Sequence, residues 1–442
     1  MNEAFPPGSM TWLLGIEDTC VYPPARFDMA PLDEHELTEH NLRWREDLDS
    51  VRGLGASALR YGVNWPLVHT APGTFEWSVL DERLRYAAGD LGLTVIADLV
   101  HYGTPTWLEG SFADPGYPAA IAEFAAAFAG RYRGLVEHLT PLNEPVTTAS
   151  FCGLRGVWPP ALSGWTGWTT VALSIVEGIR RSIAAARVAN PDVVIVHVEA
   201  SAIYTATEPD LEAHAELLRA IGALPTELLL GRVDSDHPMH GWLLEQGADA
   251  VALAGFLREV PAIDLLGVNY YPDLTPRDLV PVAGSVEQIA VNHWAAGLRD
   301  RLAWFAERYA VPMLVTETSI EGTEAVRADW LADSARAVLD LRNSGLDIRG
   351  YTWWPLLDFV DWSYASGGRN VEEFLLDPTG GERTAKAEVF ADVSAGKTAF
   401  LRRMGLLALE EQPDGRLVRV QTAAAPVFRD LAARVAEADH VG

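Results

Sequence analysis

The sequence predicts an α/β fold, and within that class a closed (β/α)8 barrel (a TIM barrel) formed as a single domain. Short apolar and β-branched runs alternate with longer helical patterns along most of the 442 residues, which is typical of repeated βα units. No glycine-rich phosphate-binding fingerprint follows the first predicted strand, and this disfavours an open, dinucleotide-binding sheet. Eight predicted strands with helical connections fit a closed barrel better.

The predicted strands are short runs rich in apolar and β-branched residues. They cover residues 11–17, 57–63, 94–100, 136–142, 193–199, 263–269, 312–317 and 348–354. Helical periodicity predicts helices over residues 79–91, 118–133, 170–188, 297–309 and 324–344. In the second of these, Pro118 lies near the helix start, and Ile121, Phe124 and Phe128 recur at helical spacing.

Residues 1–395 are predicted to form the barrel, with long loops at its C-terminal face. Residues 143–169, rich in Gly, Pro and Trp, are interpreted as an ordered loop over the barrel mouth, and 271–296 as a similar loop. The segment 200–258 carries extra helical material and is interpreted as an excursion within the barrel. Residues 396–442 leave the βα pattern, and we expect them to form helices packed on the barrel.

Composition and charge exclude several classes of partner. The formal net charge of -27 argues against nucleic acid and anionic membranes, which both need a positive face. No apolar run of about 18 residues predicts a membrane span. Cys20 and Cys152 provide no disulfide framework, and no signal peptide is visible, so a cytoplasmic location is expected. The 15 tryptophans favour carbohydrate mildly, since indole faces stack on sugar rings as well as filling cores.

Catalytic groups of such barrels lie at the C-terminal ends of the strands, and here those ends are rich in polar and aromatic residues. They carry Glu17, Arg60, His101, Asn143, Glu144, Glu199, Asn269, Tyr270, Tyr271, Glu317 and Trp354. Glu144 and Glu317 are expected to face each other across the mouth. Glycoside hydrolysis needs such a pair: one carboxyl group protonates the leaving oxygen, and the other attacks the anomeric carbon or activates water.

Four motifs give the chain a resemblance to glycoside hydrolase family 1, the β-glucosidase family, from about residue 11 to about residue 390. They are TPLNEP (140–145), LLGVNYYP (265–272), VTETSIEG (315–322) and IRGYTWWPLLDFVDW (348–362). These are similar to the family's T-x-N-E-P, G-x-N-Y-Y, T-E-N-G and G-Y-x-x-W-S-L-L-D-N-F-E-W. The resemblance implies a retaining exo-β-glycosidase with Glu144 as general acid/base and Glu317 as nucleophile, acting without a metal or other cofactor.

The resemblance also implies roles in substrate binding and in holding the nucleophile. Arg60 is expected to keep the pKa of Glu317 low, Tyr271 to touch Glu317, and Asn143 and His101 to bind the sugar 2- and 3-hydroxyls. Trp354 is expected to form the platform under the sugar ring. The remaining substrate-binding residues of this set are Glu17, Asn269, Asp361 and Trp362.

Three positions depart from the family pattern. Glu17 (or Asp18) stands where the family has glutamine, Asp361 stands where it has glutamate, and Thr318 follows the nucleophile where asparagine is usual. Glu17 and Asp361 are both expected to read the side of the sugar that carries its 3-, 4- and 6-hydroxyls. The sequence therefore predicts the reaction type and leaves the sugar open.

Several alternatives stay open at the level of sequence. A catalytically silent sugar-binding protein on the same barrel is supported by the altered sugar-reading positions, and a transglycosidase would pass the covalent intermediate to an acceptor alcohol. The substrate is expected to be a small-molecule β-glycoside or oligosaccharide, and the oligomeric state is not predicted.

Some residues have both a functional and a structural interpretation. Glu17 and Asp361 either contact the substrate or pair with a neighbouring base. Glu199 is interpreted as structural, and the run 236–238 as a helix start without metal-ligand spacing. The tryptophans of segment 143–169 line an aglycone subsite or only pack the lid; they are Trp158, Trp165 and Trp168.

Overall fold

The computed structural model describes residues 4–282, 285–368, 374–376, 382–384, 394 and 396–439. Within them, eight parallel strands form a closed barrel in which each strand pairs with its neighbours in sequence, and β1 also pairs with β8. The strands β1 to β8 are Thr11–Gly15, Ala58–Gly62, Thr94–Asp98, His138–Thr140, Val194–Ala200, Leu265–Asn269, Met313–Glu317 and Ile348–Trp353. The predicted (β/α)8 fold is confirmed.

A main helix follows each strand on the outside of the barrel. The helices α1 to α8 are His40–Gly53, Ser78–Leu84, Tyr117–Arg131, Gly164–Ala189, Glu212–Leu229, Trp294–Tyr309, Glu324–Asn343 and Ala424–Asp439. In α3, Pro118 lies in the first turn, where its missing N–H costs no intrahelical bond. The periodic Ile121, Phe124 and Phe128 are buried, as their spacing predicts.

The core has two layers because the strands are covered on both faces. Inside the barrel, Leu13, Ile96 and Leu314 belong to a compact apolar cluster that also contains Phe5. Phe5 contacts His138 edge to face at the beginning of β4, with the ring centroids 5.2 Å apart. Outside, the larger core joins the strands to the surrounding helices. This burial on both faces explains why the strand sequences are continuous apolar runs and do not alternate apolar and polar residues.

The predicted loop over residues 143–169 is largely helical, which corrects the sequence interpretation. Pro145–Ala149 is an α-helix, Ser150–Leu154 is a π-helix, and α4 begins at Gly164. Two of the glycines that suggested a loop are contact points between helices: a Cβ on Gly153 would lie 2.5 Å from the carbonyl oxygen of Gly167. Close packing of two backbones explains these two residues, whereas Gly156 and Gly164 have positive φ angles of 64° and 70° and serve turns.

The second predicted loop, 271–296, contains two antiparallel strands, Pro276–Val282 and Ser285–Ala290. Ile203–Ala206 pairs parallel with the first of them, and Phe374–Leu376 and Glu382–Thr384 extend the sheet beyond the second. This segment was therefore wrongly interpreted as a loop, since a side sheet outside the barrel supplies its backbone partners.

The chain beyond residue 395 contains more than the expected helices. Leu401–Arg402 pairs antiparallel with Phe359–Val360, and a hairpin of Leu407–Glu411 and Leu417–Gln421 follows. Phe428 of α8 then packs on Trp12 of β1, with the ring centroids 5.8 Å apart. This helix therefore covers the junction of the first and last strands.

Short elements complete the described chain. The segment 200–258 holds the extra helices His240–Glu245 and Ala250–Phe256 after α5, as expected. The remaining elements are the strands Cys20–Val21, Leu32–Asp33, His69–Ala71 and Thr74–Phe75, the α-helices Glu34–Leu37 and Trp65–Val68, the π-helix Arg85–Asp90, and the 3-10 helices Ala25–Phe27, Ser111–Ala113, Pro209–Leu211, Trp362–Tyr364 and Lys397–Phe400. Of the helices described, none has the length and apolar character needed to cross a bilayer.

Candidate active site

Glu144 lies just beyond the end of β4, with its backbone in a strained conformation. Its φ of 45° is in the left-handed region, and the neighbouring Tyr102 also has a positive φ, 70°. Such residues cost about 1–3 kcal/mol each and cluster at functional sites. The Tyr102 hydroxyl donates to Oε2 of Glu144 at 2.7 Å, and Asn269 Nδ2 donates to Oε1 at 2.7 Å. Both carboxyl oxygens of Glu144 are thereby fixed in position.

Glu317 is the last residue of β7 and is buried. The guanidinium of Arg60, on β2, forms an ion pair with one of its carboxyl oxygens. The Tyr271 hydroxyl donates to the other oxygen, Oε2, at 2.8 Å. Arg60 also pairs with Asp98 and donates to Asn143 Oδ1 at 2.6 Å. The expected contacts of Arg60 and Tyr271 with Glu317 are thus present.

The electrostatics of Glu317 differ from the sequence expectation of a low pKa. Burial raises the pKa of Glu317 to about 8, and the nearby Glu144 adds to this effect, while Arg60 opposes it. The reason for the difference is desolvation. A carboxylate removed from water loses more solvation free energy than its attraction to one shared guanidinium restores. Arg60 is shared because Asp98 binds the same side chain.

His101 forms a buried network with two carboxyl groups. Its Nδ1 lies 2.6 Å from Asp18 Oδ1 and 3.1 Å from Asp98 Oδ2. Burial lowers the pKa of His101, but Asp18 and Asp98 outweigh it and raise that pKa well above its ordinary value. Burial raises the pKa of Asp18 to about 6 despite the opposing effect of His101. These three side chains are close enough to hold a cation, but His101 and Arg60 already supply positive charge there.

Trp354 forms one wall of the site, immediately after β8. Its ring is parallel to that of His101, with centroids 5.6 Å apart, and its Nε1 donates to Glu17 Oε2 at 2.9 Å. The Trp354 ring lies so close to the backbone of β1 that position 15 must be glycine, because a Cβ there would lie 1.8 Å from the ring. Thr19 donates to the other oxygen of Glu17 through its hydroxyl and its backbone N–H.

The far end of the site combines residues from two distant parts of the chain. Asp361 accepts from the Ser363 N–H at 2.9 Å, and Arg402 Nη1 donates to Asp361 Oδ2 at 3.3 Å. Arg402 Nε also donates to Glu321 Oε2 at 2.9 Å. Trp362 lies beside them, and its buried Nε1 has no hydrogen-bond partner in the part of the chain that the structure describes.

These side chains surround one pocket of about 70 Å³. It is lined by Glu17, His101, Tyr102, Glu144, Tyr271, Leu274, Glu317, Trp354, Pro355, Phe359, Asp361, Trp362, Arg402 and Met404. Three predicted site residues, Arg60, Asn143 and Asn269, lie behind this lining and hold the two glutamates or the residues that contact them. The arrangement places two buried carboxyl groups, each with its own donors, beside an aromatic wall.

No protein-family model matches the chain. A β-glucosidase of Agrobacterium sp. is 23% identical over 362 residues, which are 74% of this chain and 77% of that protein. A bifunctional β-D-glucosidase/β-D-fucosidase of Bifidobacterium breve is 24% identical over 389 residues, which are 74% of this chain and 81% of that protein. A family 1 β-glucosidase from Thermotoga maritima superposes with a TM-score of 0.75 at 16% identity, covering 98% of this chain and 99% of that one.

The chain is similar in sequence to β-glucosidases and in fold to a family 1 β-glucosidase. The resemblance predicted from the four motifs is therefore confirmed. The structural likeness, at 16% identity, supports the fold alone. A second Thermotoga maritima structure, with azafagomine bound, has the same TM-score of 0.75.

The structure separates the two acids that follow β1, where family 1 β-glucosidases have a glutamine. Glu17 lines the pocket. Asp18 instead faces His101 and packs on Gly62, where a Cβ would lie 2.2 Å from its carboxyl oxygen. Glu17, not Asp18, is therefore the group in position to meet a ligand. Thr318, the third departure from the family 1 pattern, is fully buried and donates nothing to Glu317 among the described contacts.

A second cleft of about 230 Å³ adjoins the pocket and shares Glu144, Tyr271 and Trp362 with it. Trp165 and Trp168 line this cleft. Trp158 does not line it and is packed between other aromatic rings, with its centroid 4.5 Å from that of Phe151 and 5.2 Å from that of Trp362. Two of the three tryptophans thus line this cleft, and the third packs against other aromatic side chains.

Three residues in or beside the pocket were missed by sequence reasoning: Asp98, Tyr102 and Arg402. Asp98 lies two residues before the end of the predicted strand 94–100 and Tyr102 follows His101, so nearness to a strand end was a usable signal for both. Arg402 lies in the segment 396–442, outside the βα pattern, and nothing in its local sequence indicated the pocket.

The residues interpreted as structural have structural partners. Glu199 accepts from the N–H groups of Val146 at 3.2 Å and Ala200 at 3.0 Å. Burial raises the pKa of Glu199 well above its ordinary value. His237 Nε2 lies 2.8 Å from Glu227 Oε2, shortly before the helix His240–Glu245.

Proposed function

We propose that this protein is a retaining exo-β-glycosidase that hydrolyses small β-glycosides or oligosaccharides by double displacement. The observation that carries the proposal is the placement of Glu144 and Glu317 in one pocket, at the ends of β4 and β7, each held by a separate set of donors. A pair of carboxyl groups flanking the scissile bond is what glycoside hydrolysis requires.

In the first step, a carboxylate oxygen of Glu317 attacks the anomeric carbon. The glycosidic bond breaks, and its oxygen takes the proton of Glu144, so that the leaving alcohol departs and a glycosyl ester forms on Glu317. Tyr271 and Arg60 hold the attacking carboxylate in orientation. The nucleophile must be ionised for this step, and the developing positive charge at the anomeric carbon favours that form.

In the second step, Glu144 as carboxylate removes a proton from water while the water oxygen attacks the anomeric carbon. The bond to Glu317 breaks, its carboxylate is regenerated, and the sugar leaves with its original anomeric configuration. Tyr102 and Asn269 keep Glu144 in place through both steps, since each donates to a different oxygen.

The far end of the pocket supports exo action and recognition of one terminal sugar. Glu17, Asp361 and Arg402 are buried and line that end, beside Trp354 and Trp362. A charged, hydrogen-bonding end of this kind is suited to the outer hydroxyls of a terminal sugar. We further propose a cytoplasmic location, because Cys20 and Cys152 are buried free thiols, as a reducing compartment allows.

The deciding experiment is cleavage of aryl β-glycosides at neutral pH, with the gluco, galacto, fuco, xylo and manno sugars in parallel. We expect turnover of at least one, with the β-anomer of the sugar appearing first by proton NMR. Glu317→Gly should abolish turnover, and added formate, which can occupy the space of the lost carboxylate, should restore part of it.

The matched control is Glu199→Gln, a buried glutamate outside the pocket, which should retain most of the activity if it folds. First appearance of the α-anomer would contradict retention. Binding of a sugar without turnover by the wild-type protein would instead favour the silent binding protein.

Transglycosylation is a second candidate because the cleft that Trp165 and Trp168 line adjoins Glu144. An acceptor alcohol held there would replace water in the second step. Added aryl alcohols should then divert product from free sugar to a new glycoside, measured by chromatography. A product ratio unaffected by the acceptor would restrict the enzyme to hydrolysis.

A further inference from the structure

The second cleft, of about 230 Å³, opens beside Glu144 and shares that residue with the pocket that also holds Glu317. Under the proposed function, the terminal sugar fills the pocket, and Glu144 protonates the oxygen of the bond that breaks. The leaving group therefore extends past Glu144 into the cleft. The chemistry of the cleft wall then determines which leaving groups the protein accepts.

The charges in the wall of this cleft are unusual for this chain. Among the lining residues that the structure describes, the charged ones are Arg155, Arg277 and Glu144. The whole chain has 61 acidic residues against 34 lysines and arginines, so an average surface would carry more acids than bases. In the proposed mechanism Glu144 still holds its proton when the substrate arrives. The described wall then carries two positive charges and no negative one, and a positive wall attracts an anionic group.

Arg155 lies at the wall on the connection that begins at Glu144. It directly follows the π-helix Ser150–Leu154, and its backbone N–H donates to the Ser150 carbonyl oxygen at 2.9 Å. Its guanidinium carbon lies 4.3 Å from the ring centroid of Phe151, which also lines the cleft. This cation–π contact orients the guanidinium and uses none of its five N–H donors. Arg155 can therefore donate to a ligand while it keeps its neighbours in the protein.

Arg277 lies on the side sheet, on the strand Pro276–Val282. This strand pairs parallel with Ile203–Ala206, and Arg277 is in register with Tyr204, which also lines the cleft. The next residue, Asp278, is absent from the lining, as expected because successive side chains of a strand point to opposite faces. The guanidinium therefore meets the cleft without the carboxylate beside it in the sequence.

Apolar side chains of two helices face the same cleft. Trp165 and Trp168 belong to α4, and Leu218 and Ile221 belong to α5. Burying an apolar ring against such side chains is favourable, whereas a carboxylate on that ring needs charged donors once it leaves water. The two arginines supply those donors, and a guanidinium matches the geometry of a carboxylate. The wall thus suits a leaving group that is apolar in its body and anionic at one point.

We propose that the second cleft binds leaving groups in which an aromatic ring carries a carboxylate, and that Arg155 and Arg277 determine this specificity. The proposal rests on the proposed function, because the cleft receives a leaving group only if the pocket holds the sugar. It adds a preference among β-glycosides that differ only in the charge of the part beyond the glycosidic bond.

The test compares two substrates that differ in charge, the 4-carboxyphenyl and the 4-carbamoylphenyl β-glycosides of one sugar that the wild-type protein cleaves. The ratio of their kcat/KM values, carboxyl over carbamoyl, should fall by about tenfold in Arg155→Met and in Arg277→Met, because each variant loses a hydrogen bond to the carboxylate. Methionine keeps an apolar chain in the wall. The intrinsic reactivity of each leaving group cancels, since wild type and variant use the same two substrates.

Two further variants control for charge and position. Arg277→Lys keeps the positive charge and should retain most of the wild-type ratio. Arg181→Met removes an arginine of α4 whose side chain is 54% exposed and outside the cleft lining, so the ratio should stay unchanged. An equal fall in Arg181→Met would overturn the assignment, since the ratio would then follow the net charge of the chain.

Calorimetry separates this proposal from the proposed function, because binding needs no turnover. Free 4-hydroxybenzoate should bind wild type more tightly than free 4-hydroxybenzamide, and both arginine-to-methionine variants should lose this preference. That result without cleavage of any glycoside would support the anion-binding cleft and contradict the proposed hydrolysis. Cleavage of the carbamoyl glycoside with an unchanged ratio in both variants would overturn this proposal and leave the hydrolysis standing. Tighter binding of 4-hydroxybenzamide than of 4-hydroxybenzoate would overturn it as well.

Discussion

At the scale of single residues, the pocket has more buried carboxyl groups than buried basic side chains to pair with them. Arg60 pairs with both Glu317 and Asp98, and His101 pairs with both Asp18 and Asp98. Because each cation is shared, desolvation dominates the pKa of Glu317. From the sequence we expected the pKa of Glu317 to be lowered. A motif shows which residues are in contact, but not how many acidic residues share one arginine.

Tyr102 is the residue-scale test of how Glu144 is held. Tyr102→Phe removes the 2.7 Å hydrogen bond to Glu144 and keeps the ring that packs on Trp158 and Trp362. Under the proposed mechanism Glu144 becomes a carboxylate as it gives up its proton in the first step. A hydrogen bond to a charged group contributes about 1.5–3 kcal/mol, so kcat/KM on an aryl β-glycoside should fall by about tenfold to a hundredfold.

The matched control is Tyr351→Phe, which removes a buried hydroxyl bonded to Ser334 at 2.7 Å, away from the pocket. Its kcat/KM should stay within about twofold of wild type. Equal losses of kcat/KM in the two variants would mean that Tyr102 affects activity by stabilising the fold and not by holding Glu144.

At the scale of elements, the strands and the main helices were predictable, and the two long connections interpreted as loops were not. Strands buried on both faces are continuous apolar runs, which can be recognised from a single sequence. Gly153 and Gly167, in contrast, suggested a loop, and the structure places them where two helices pack together. The pocket residues at the ends of β4, β6, β7 and β8 were predictable from motifs. Arg402 was not, because its strand pairs with Phe359–Val360 across a long sequence separation.

Arg402 should determine how the pocket binds the sugar. Arg402→Met removes the group that donates to Asp361 at 3.3 Å and lines the pocket. We expect KM for a cleaved glycoside to rise by about tenfold with a smaller change in kcat, because under the proposed function Arg402 contacts the sugar and not the reacting bond.

Arg403→Met is the adjacent control, since Arg403 donates to Asp358 at 2.8 Å and does not line the pocket. It should leave KM unchanged even if it lowers the melting temperature. A similar rise of KM in both variants would show that Arg402 only supports its own strand.

The helix α8 is expected to contribute to the stability of the barrel itself. Phe428 is fully buried and packs on Trp12 of β1. Phe428→Ala should lower the free energy of unfolding by about 3–5 kcal/mol, measured by chemical denaturation. Arg429→Ala, at an exposed position on the same helix, should change it by less than about 0.5 kcal/mol. A small effect of Phe428→Ala would mean that the barrel is stable without this helix.

At the scale of the whole molecule, the buried acids of the candidate active site lower the folding stability of the protein. The barrel supplies a rigid frame, and several acids are buried at its mouth in a protein whose formal net charge is already -27. Ionising a buried carboxyl group there costs folding free energy, and the cost depends on pH.

Glu317→Gln tests this cost through thermal unfolding as a function of pH. The pKa of Glu317 is about 8 in the folded protein and near 4.5 when exposed. A raised folded pKa means that the stabilising contribution of the protonated group is fully present below about pH 4.5 and is lost as pH rises through about 8. Glutamine does not titrate, so the melting temperature of Glu317→Gln relative to wild type should increase steadily between pH 5 and 8.5.

Glu216→Gln, at an exposed position on α5, should show a nearly constant difference from wild type over the same range. If the difference were instead constant between pH 5 and 8.5 and decreased with rising pH only below about pH 4.5, the folded pKa of Glu317 would lie below its unfolded value. Arg60 would then outweigh burial, and ionised Glu317 would stabilise the fold. The presence or absence of a slope between pH 5 and 8.5 therefore decides whether the protein holds Glu317 ionised against a folding cost or with a folding gain.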